Sequence, residues 1–251
     1  MRYAFAGDRK LSCDLLKFII DKGYKPEALF VSGNKSASHS KELIEISSLS
    51  KDKIFVGSEF KLETTVSFLK ALELDYIFGI HFPYIIPKTL LEIPKVGFLN
   101  LHPAYLPYNK GWHTPSWAII DKTPYGATLH FMEESLDEGD IINQKQISIA
   151  STDTANSLYK KVLALEKEVF IEAFDSLLSL NPPRMKQECK GTSHIKKDLK
   201  EFREIVTSET VEPLALIDKL RGLTTNDKNE AAYFLRNGKK IGIQIELFEL
   251  E

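Results

Sequence analysis

The sequence predicts an α/β fold: an open, mostly parallel Rossmann-like sheet followed by a small C-terminal appendage of a helix and a β-hairpin. Three observations lead there. Short apolar runs alternate with segments of helical periodicity from residue 2 to residue 102. One of those runs, DYIFGI (75–80), is almost continuously apolar, as a strand covered on both faces requires. Near the C-terminus Asn237-Gly238 sits between two apolar-rich runs, the strongest short-range hairpin signal.

The elements follow in order. RYAFA (2–6) reads as a buried strand stopped by Gly7, and Leu11, Leu15, Ile19 and Ile20 then recur at helical spacing. ALFVSG (28–33) is the second strand, KELIEISSLS (41–50) a helix, KIFVG (53–57) the third strand and 59–72 another helix. After DYIFGI come a Pro-flanked turn of helix at 87–93 and the strand VGFLNLH (96–102). A short helix is expected at 112–121. Two strands, ATLHFME (127–133) and DIINQKQISI (140–149), flank a turn at Asp137-Glu138-Gly139. A long amphipathic helix over 153–178, capped by Thr152 or Asp153, ends before Asn181-Pro182-Pro183. The rest reads as a polar stretch, a helix near 211–221 and hairpin strands at 232–236 and 239–248. The expected domains are 1–183 and a small region, 184–251.

Composition narrows the function classes. The chain has 251 residues, 33 Lys+Arg against 35 Asp+Glu, and 43% hydrophobic residues. This near-neutrality argues against a protein that coats nucleic acid. Cys13 and Cys189 are the two cysteines, too few for a disulfide framework or a cysteine zinc cluster. Asp8 and Arg9 interrupt the N-terminus where a signal peptide needs its apolar stretch, and no apolar run approaches the ~18 residues of a membrane span. The expectation is a cytoplasmic protein.

The chemistry concentrates in 96–117, VGFLNLHPAYLPYNKGWHTPSW. Along a strand alternate residues face the same way, so Asn100 and His102 project together while Leu99 and Leu101 point to the other face. A polar pair at the C-terminal end of a strand lies where open α/β sheets hold ligands. An Asn amide can donate to a developing oxyanion, and a His can move a proton at neutral pH. Asp137, in a Gly-containing turn, is the best carboxylate to orient that His. The same residues also fit plainer roles, with Asn100 bonding a neighbouring loop and Asp137 an ordinary turn residue. His102 and His113 are too isolated to read as metal ligands, so no metal is expected.

FLNLHPAYLPYNKG together with GATLHFMEESLDEGDIINQKQISI resembles the formyltransferase family that uses N10-formyltetrahydrofolate. The shared motif is Asn-X-His-Pro, a Leu-Pro with a following Gly, then an Asp-X-Gly with an apolar strand behind it. The resemblance implies that Asn100 stabilises the tetrahedral oxyanion, that His102 handles the proton of the attacking amine, and that Asp137 holds His102 or a water in the working orientation. It also implies a folate co-substrate against FGIHFPYII (78–86) and the turn at 132–137, with Phe78, His81, Phe82, Tyr84, Ile85, Met132 and Glu133 as candidate contacts.

The wording HPAYLPYNKGWHTPSW is most similar to the bacterial sugar N-formyltransferases. That branch implies a dTDP-amino-dideoxysugar as acceptor, first the 4-amino-4,6-dideoxyglucose derivative and second a 3-amino-3,6-dideoxyhexose, en route to surface polysaccharide such as the O-antigen of lipopolysaccharide. Methionyl-tRNA and glycinamide ribonucleotide, the acceptors of two other branches of that family, are the alternatives; residues 186–251 carry 12 Lys+Arg and 12 Asp+Glu, a net of zero that makes a poor tRNA clamp. Gly7-Asp8-Arg9-Lys10 lacks the glycines of a purine-pathway phosphate loop. Arg9 and Lys10, beside the amides of a helix N-terminus, suit a pyrophosphate. Tyr105, Tyr108, Trp112 and Trp117 offer stacking surfaces, and Lys110 a further cation. A folate or nucleotide sensor without catalysis is the non-enzymatic alternative. The apolar hairpin is too small to bury its own face, so a homodimer built partly through 232–249 is expected.

Overall fold

The computed structural model describes residues 1–33 and 37–250; Glu251, the last residue of the expected appendage, lies outside them. The first strands form where Val, Ile, Phe and Tyr cluster: β1 (Tyr3–Gly7), β2 (Ala28–Val31) and β3 (Ile54–Val56), linked by α1 (Arg9–Asp21) and α2 (Ser40–Ser47). α3 (Glu63–Ala71), β4 (Tyr76–Ile80), α4 (Lys88–Leu91) and β5 (Gly97–His102) follow. Then come β6 (Lys110–Gly111), α5 (Thr114–Ile120), β7 (Tyr125–Phe131), β8 (Ile141–Ile147) and α6 (Ala155–Leu178). The chain closes with β9 (Ser193–His194), α7 (Lys196–Phe202), α8 (Pro213–Gly222), β10 (Ala232–Arg236) and β11 (Lys239–Ile243).

Seven strands make one sheet in the order β3-β2-β1-β4-β5-β7-β8. β1 through β5 run parallel, with Phe5 opposite Leu29 on one side and Phe78 on the other. β7 runs antiparallel to β5, setting Asn100 opposite His130 and His102 opposite Thr128. The order reverses between β1 and β4, the switch point at which such sheets open a crevice beyond their C-terminal ends.

Two compact units divide the chain. The first comprises Met1–His102, Thr128–Asn143 and Glu166–Gln187. On one face of its sheet Tyr3 and Tyr76 pack on Phe78, which packs against Phe170 of α6. On the other, Ala4, Phe30, Ile77 and Phe98 pack with Phe60 and Leu69. Strand alternation produces both sets, since Tyr76 and Phe78 turn one way and Ile77 the other. The second unit comprises Pro103–Ala127, Gln144–Leu165 and Glu188–Glu251. Its core is Trp117, Leu199, Leu223 and Ala232. Gly222 lets α8 approach α5 closely, as a Cβ there would lie 2.7 Å from Ile120.

Several boundaries differ from expectation. The cap of α6 is Thr154: Ser157 N donates to Thr154 Oγ1 at 3.3 Å, and Thr154 N donates to Ser157 Oγ at 3.0 Å. Asp153 instead pairs with Lys161 at 2.7 Å. The helix expected over 59–72 starts as a tight turn, Glu59–Lys61, before α3. α7 falls in the stretch read as polar, where Leu199 and Phe202 are the apolar residues among five charged ones in KKDLKEF. The Asn237-Gly238 turn forms with φ 51 and 73, but β11 stops at Ile243 rather than 248. Among the described residues no helix is long and apolar enough to cross a membrane.

Candidate active site

β5 delivers Asn100 and His102 to one side of its C-terminal end, and the turn after β7 brings Asp137 to meet both. Asp137 Oδ1 lies 3.5 Å from Asn100 Nδ2, and Oδ2 lies 3.5 Å from His102 Nε2. His102 and Asp137 are buried and Asn100 is half-buried. These spacings are looser than tight hydrogen bonds.

A fourth group, His130, completes the cluster and was not anticipated. Its Nδ1 lies 2.8 Å from Phe131 O, which can only accept, so Nδ1 carries the hydrogen and Nε2 the lone pair. Asn100 Nδ2 donates to that Nε2 at 3.2 Å. Two acceptors, His130 Nε2 and Asp137 Oδ1, therefore fix which end of the Asn100 amide faces the cluster. Burial pulls the His130 pKa down to about 4, against a raising influence from Asp137, so the imidazole stays neutral. ATLHFME carries one polar signal that could have flagged it: a His amid apolar neighbours on a buried strand.

The turn holding Asp137 is tightly fitted. Asp137 adopts φ 54, in the left-handed region, and a Cβ on Gly139 would lie 2.0 Å from Phe131 O. Gln187 Nε2 donates to both Asp137 O and Gly139 O at 2.9 Å.

The remaining candidates of the first unit divide. Phe78 is a correction: it is fully buried between Tyr76 and Phe170, because β4 turns its side chain to the helix-covered face. His81 is half-buried, with Nε2 2.9 Å from Glu166 Oε1. Burial lowers its pKa, but the charge and hydrogen bond of Glu166 outweigh that and raise it overall. The imidazole thus ties the loop after β4 to α6. Phe82 and Tyr84 are half-buried in an aromatic cluster with Phe60, their own rings 4.9 Å apart. Ile85, by contrast, is 85% exposed, so it is not core packing. Met132 is half-buried and Glu133 exposed.

At the start of α1 the expected pyrophosphate cradle meets two obstacles. Lys10 already pairs with Glu42 at 2.6 Å and Asp14 at 3.4 Å. Asp8, a buried carboxylate, accepts from Ser38 N at 3.0 Å beside the helix N-terminus. Arg9 is exposed, 3.8 Å from Asp8.

Tyr105, Lys110 and Trp112 belong to the second unit. Tyr105 is half-buried; Lys110 is buried, its backbone N donating to Thr192 O at 2.9 Å. Trp112 is 45% exposed, with Lys196 Nζ 5.1 Å from its ring centre. Trp117 is not a stacking surface for a ligand: it is buried and stacked on His194 at 3.7 Å. Among the described residues no group of three or more His, Cys, Asp or Glu is arranged to hold a metal ion.

A neutral amide donor, an imidazole and a carboxylate converging at a strand end are groups with the chemistry that acyl transfer needs. Residues 24–174 match the formyl transferase family, and residues 198–249 match the N-formyltransferase dimerization C-terminal domain. The chain belongs to the formyltransferase family and is a formyl-transfer enzyme. The dTDP-4-amino-4,6-dideoxyglucose formyltransferase of Mycobacterium bovis is 29% identical over 173 residues, 69% of this chain and 73% of that one. A 4-N formyltransferase from Francisella tularensis has the same fold, with a TM-score of 0.83 at 29% identity, over 99% of this chain and 98% of that one. The N-formyltransferase from Helicobacter canadensis shares the fold at 19% identity and TM-score 0.69, over 96% and 86% of the two chains, and its structure holds folinic acid and dTDP-3-aminofucose. Methionyl-tRNA formyltransferases are also relatives, that of Geobacter sulfurreducens being 28% identical over 89% of this chain and 72% of its own.

Proposed function

We propose that the enzyme moves the formyl group of N10-formyltetrahydrofolate to the amine of a dTDP-amino-dideoxysugar, with dTDP-4-amino-4,6-dideoxyglucose as acceptor, in the synthesis of a surface polysaccharide such as an O-antigen. The observation that carries this reading is the meeting of Asn100 and His102 on the Asp137 carboxylate. The Mycobacterium and Francisella relatives support the 4-amino sugar.

The acceptor nitrogen attacks the formyl carbon, and the carbonyl π pair moves to oxygen. Asn100 Nδ2 turns the hydrogen of its long 3.5 Å contact to that oxyanion, while its other hydrogen stays on His130. His102 takes the proton leaving the amine, and the Asp137 carboxylate stabilises the imidazolium. The carbon–N10 bond then breaks, N10 takes a proton, and tetrahydrofolate and the N-formyl sugar leave. The folate fits the residues at hand: Phe82, Tyr84 and Met132 are half-buried against the core, and Ile85 stands exposed beside them in the chain. In the first unit Arg9 is the proposed acceptor contact, and Lys10 beside it sits in a surface ion pair with Glu42.

Residues 1–183 form the proposed catalytic part, and 184–251 a C-terminal part that pairs two copies in the cytoplasm. Methionyl-tRNA is the competing acceptor. The electrically balanced tail, with 12 Lys+Arg and 12 Asp+Glu over 186–251, argues against it. A mass-spectrometric screen with N10-formyltetrahydrofolate tests the choice. It should offer dTDP-linked 4-amino and 3-amino sugars, a UDP-amino sugar, glycinamide ribonucleotide and methionyl-tRNA. A gain of one formyl on the 4-amino sugar is expected; formylation of tRNA or the ribonucleotide alone refutes the reading. With the true acceptor, Asn100→Ala and His102→Ala should lower kcat by about 10²–10⁴-fold in steady-state kinetics.

A further inference from the structure

We propose that Gln187 is a positioning residue for formyl transfer, holding the turn that presents Asp137. This inference rests on the reading of Asp137 as a catalytic group. Residues 132–140 lie outside every strand and helix, so regular structure does not hold them. Yet Asp137 keeps a left-handed backbone, φ 54, a conformation that costs a non-glycine residue about 1 kcal/mol or more and persists where its surroundings enforce it.

Gln187 supplies the enforcement. Its single amide gives both hydrogens to the turn, one to Asp137 O and one to Gly139 O, each at 2.9 Å. Its Oε1 is buried and among the described residues finds no hydrogen-bond partner, so the two donated bonds are the polar contacts that orient the group.

The chain around Gln187 is itself anchored to the same segment. Met185 N donates to Ile141 O at 2.9 Å, and Ile141 N donates back to Met185 O at 2.8 Å. Arg184 lies 3.5 Å from the centre of the Phe131 ring and gives Nη2 to Val96 O at 2.9 Å. Residues 184–187 thus grip the loop at its entry, Phe131, at its exit, Ile141, and at its tip. The carboxylate at that tip faces Asn100, His102 and His130 across 3.5–3.6 Å. A shift of ~1 Å in such a group is enough to cost ~10²-fold in rate.

The test uses the full chain with N10-formyltetrahydrofolate and dTDP-4-amino-4,6-dideoxyglucose. Gln187→Met keeps the bulk and removes both donors; Gln187→Lys keeps a donor that can reach the same carbonyls. Gln187→Met should lower kcat about 10- to 100-fold with both KM values nearly unchanged, and Gln187→Lys should recover much of that loss. Amide hydrogen exchange of the peptide 133–140 should quicken in Gln187→Met while the strands stay protected. In an Asp137→Asn background Gln187→Met should cost nothing further. An equal fold-loss in that background, or wild-type kcat and exchange in Gln187→Met, overturns the proposal. Full turnover in Asp137→Asn alone instead overturns the reading of Asp137.

Discussion

The imidazole of His130 is uncharged at neutral pH, because burial pulls its pKa from 6.5 down to about 4. The unfolded chain therefore takes up this proton near pH 6.5, whereas the folded chain waits until about 4. Between those values the unfolded state binds more protons, so stability rises with pH across the window. It is lost as pH falls, by about 3 kcal/mol at most. Denaturant unfolding at pH 7, 5.5 and 4.5 should show that fall in the wild type and a flatter one in His130→Gln. Parallel pH curves would remove His130 as its source. Asn100 and His102 were legible because strand alternation sets them side by side. His130 was not, since its meaning comes from standing opposite Asn100 in an antiparallel register that neither segment states alone.

Short-range rules hold best at the level of single elements. The βαβ rhythm, the helix end before Asn181-Pro182-Pro183 and the Asn237-Gly238 turn follow from local chemistry. α7 escaped because a helix with two apolar residues in seven is held by its core contacts, Leu199 above all, rather than by its own pattern. The turn at 137–139 shows the same dependence. Its Gly139 is required by Phe131 O, where an added Cβ would sit 2.0 Å away. Gly139→Ala should therefore cost about 1–3 kcal/mol in denaturant unfolding. It should also lower kcat by moving Asp137, and unchanged stability together with unchanged kcat would count against this packing account.

For the whole molecule, the apolar C-terminus remains to be covered. Leu235, Ile241 and Phe248 are 41–75% exposed in a region that matches a dimerization domain. Deleting 232–251 would also strip Ala232 from the core of its unit, so charged substitutions are the cleaner test. Ile241→Glu with Phe248→Glu should shift the protein from dimer to monomer in sedimentation, and a persisting dimer would exclude this face. The sequence by itself determined the α/β class, the strand carrying Asn100 and His102, and the Asp-X-Gly turn, because each rests on local periodicity or a compact motif. Only the tertiary structure decided the rest. It drew His130 and Gln187 to Asp137, buried Phe78 and Trp117, and tied Lys10 to Glu42. The Gln187–Asp137 and Lys10–Glu42 pairings join residues 50 and 32 positions apart, and an aromatic or a lysine looks the same in sequence whether its partner is solvent, ligand or another side chain.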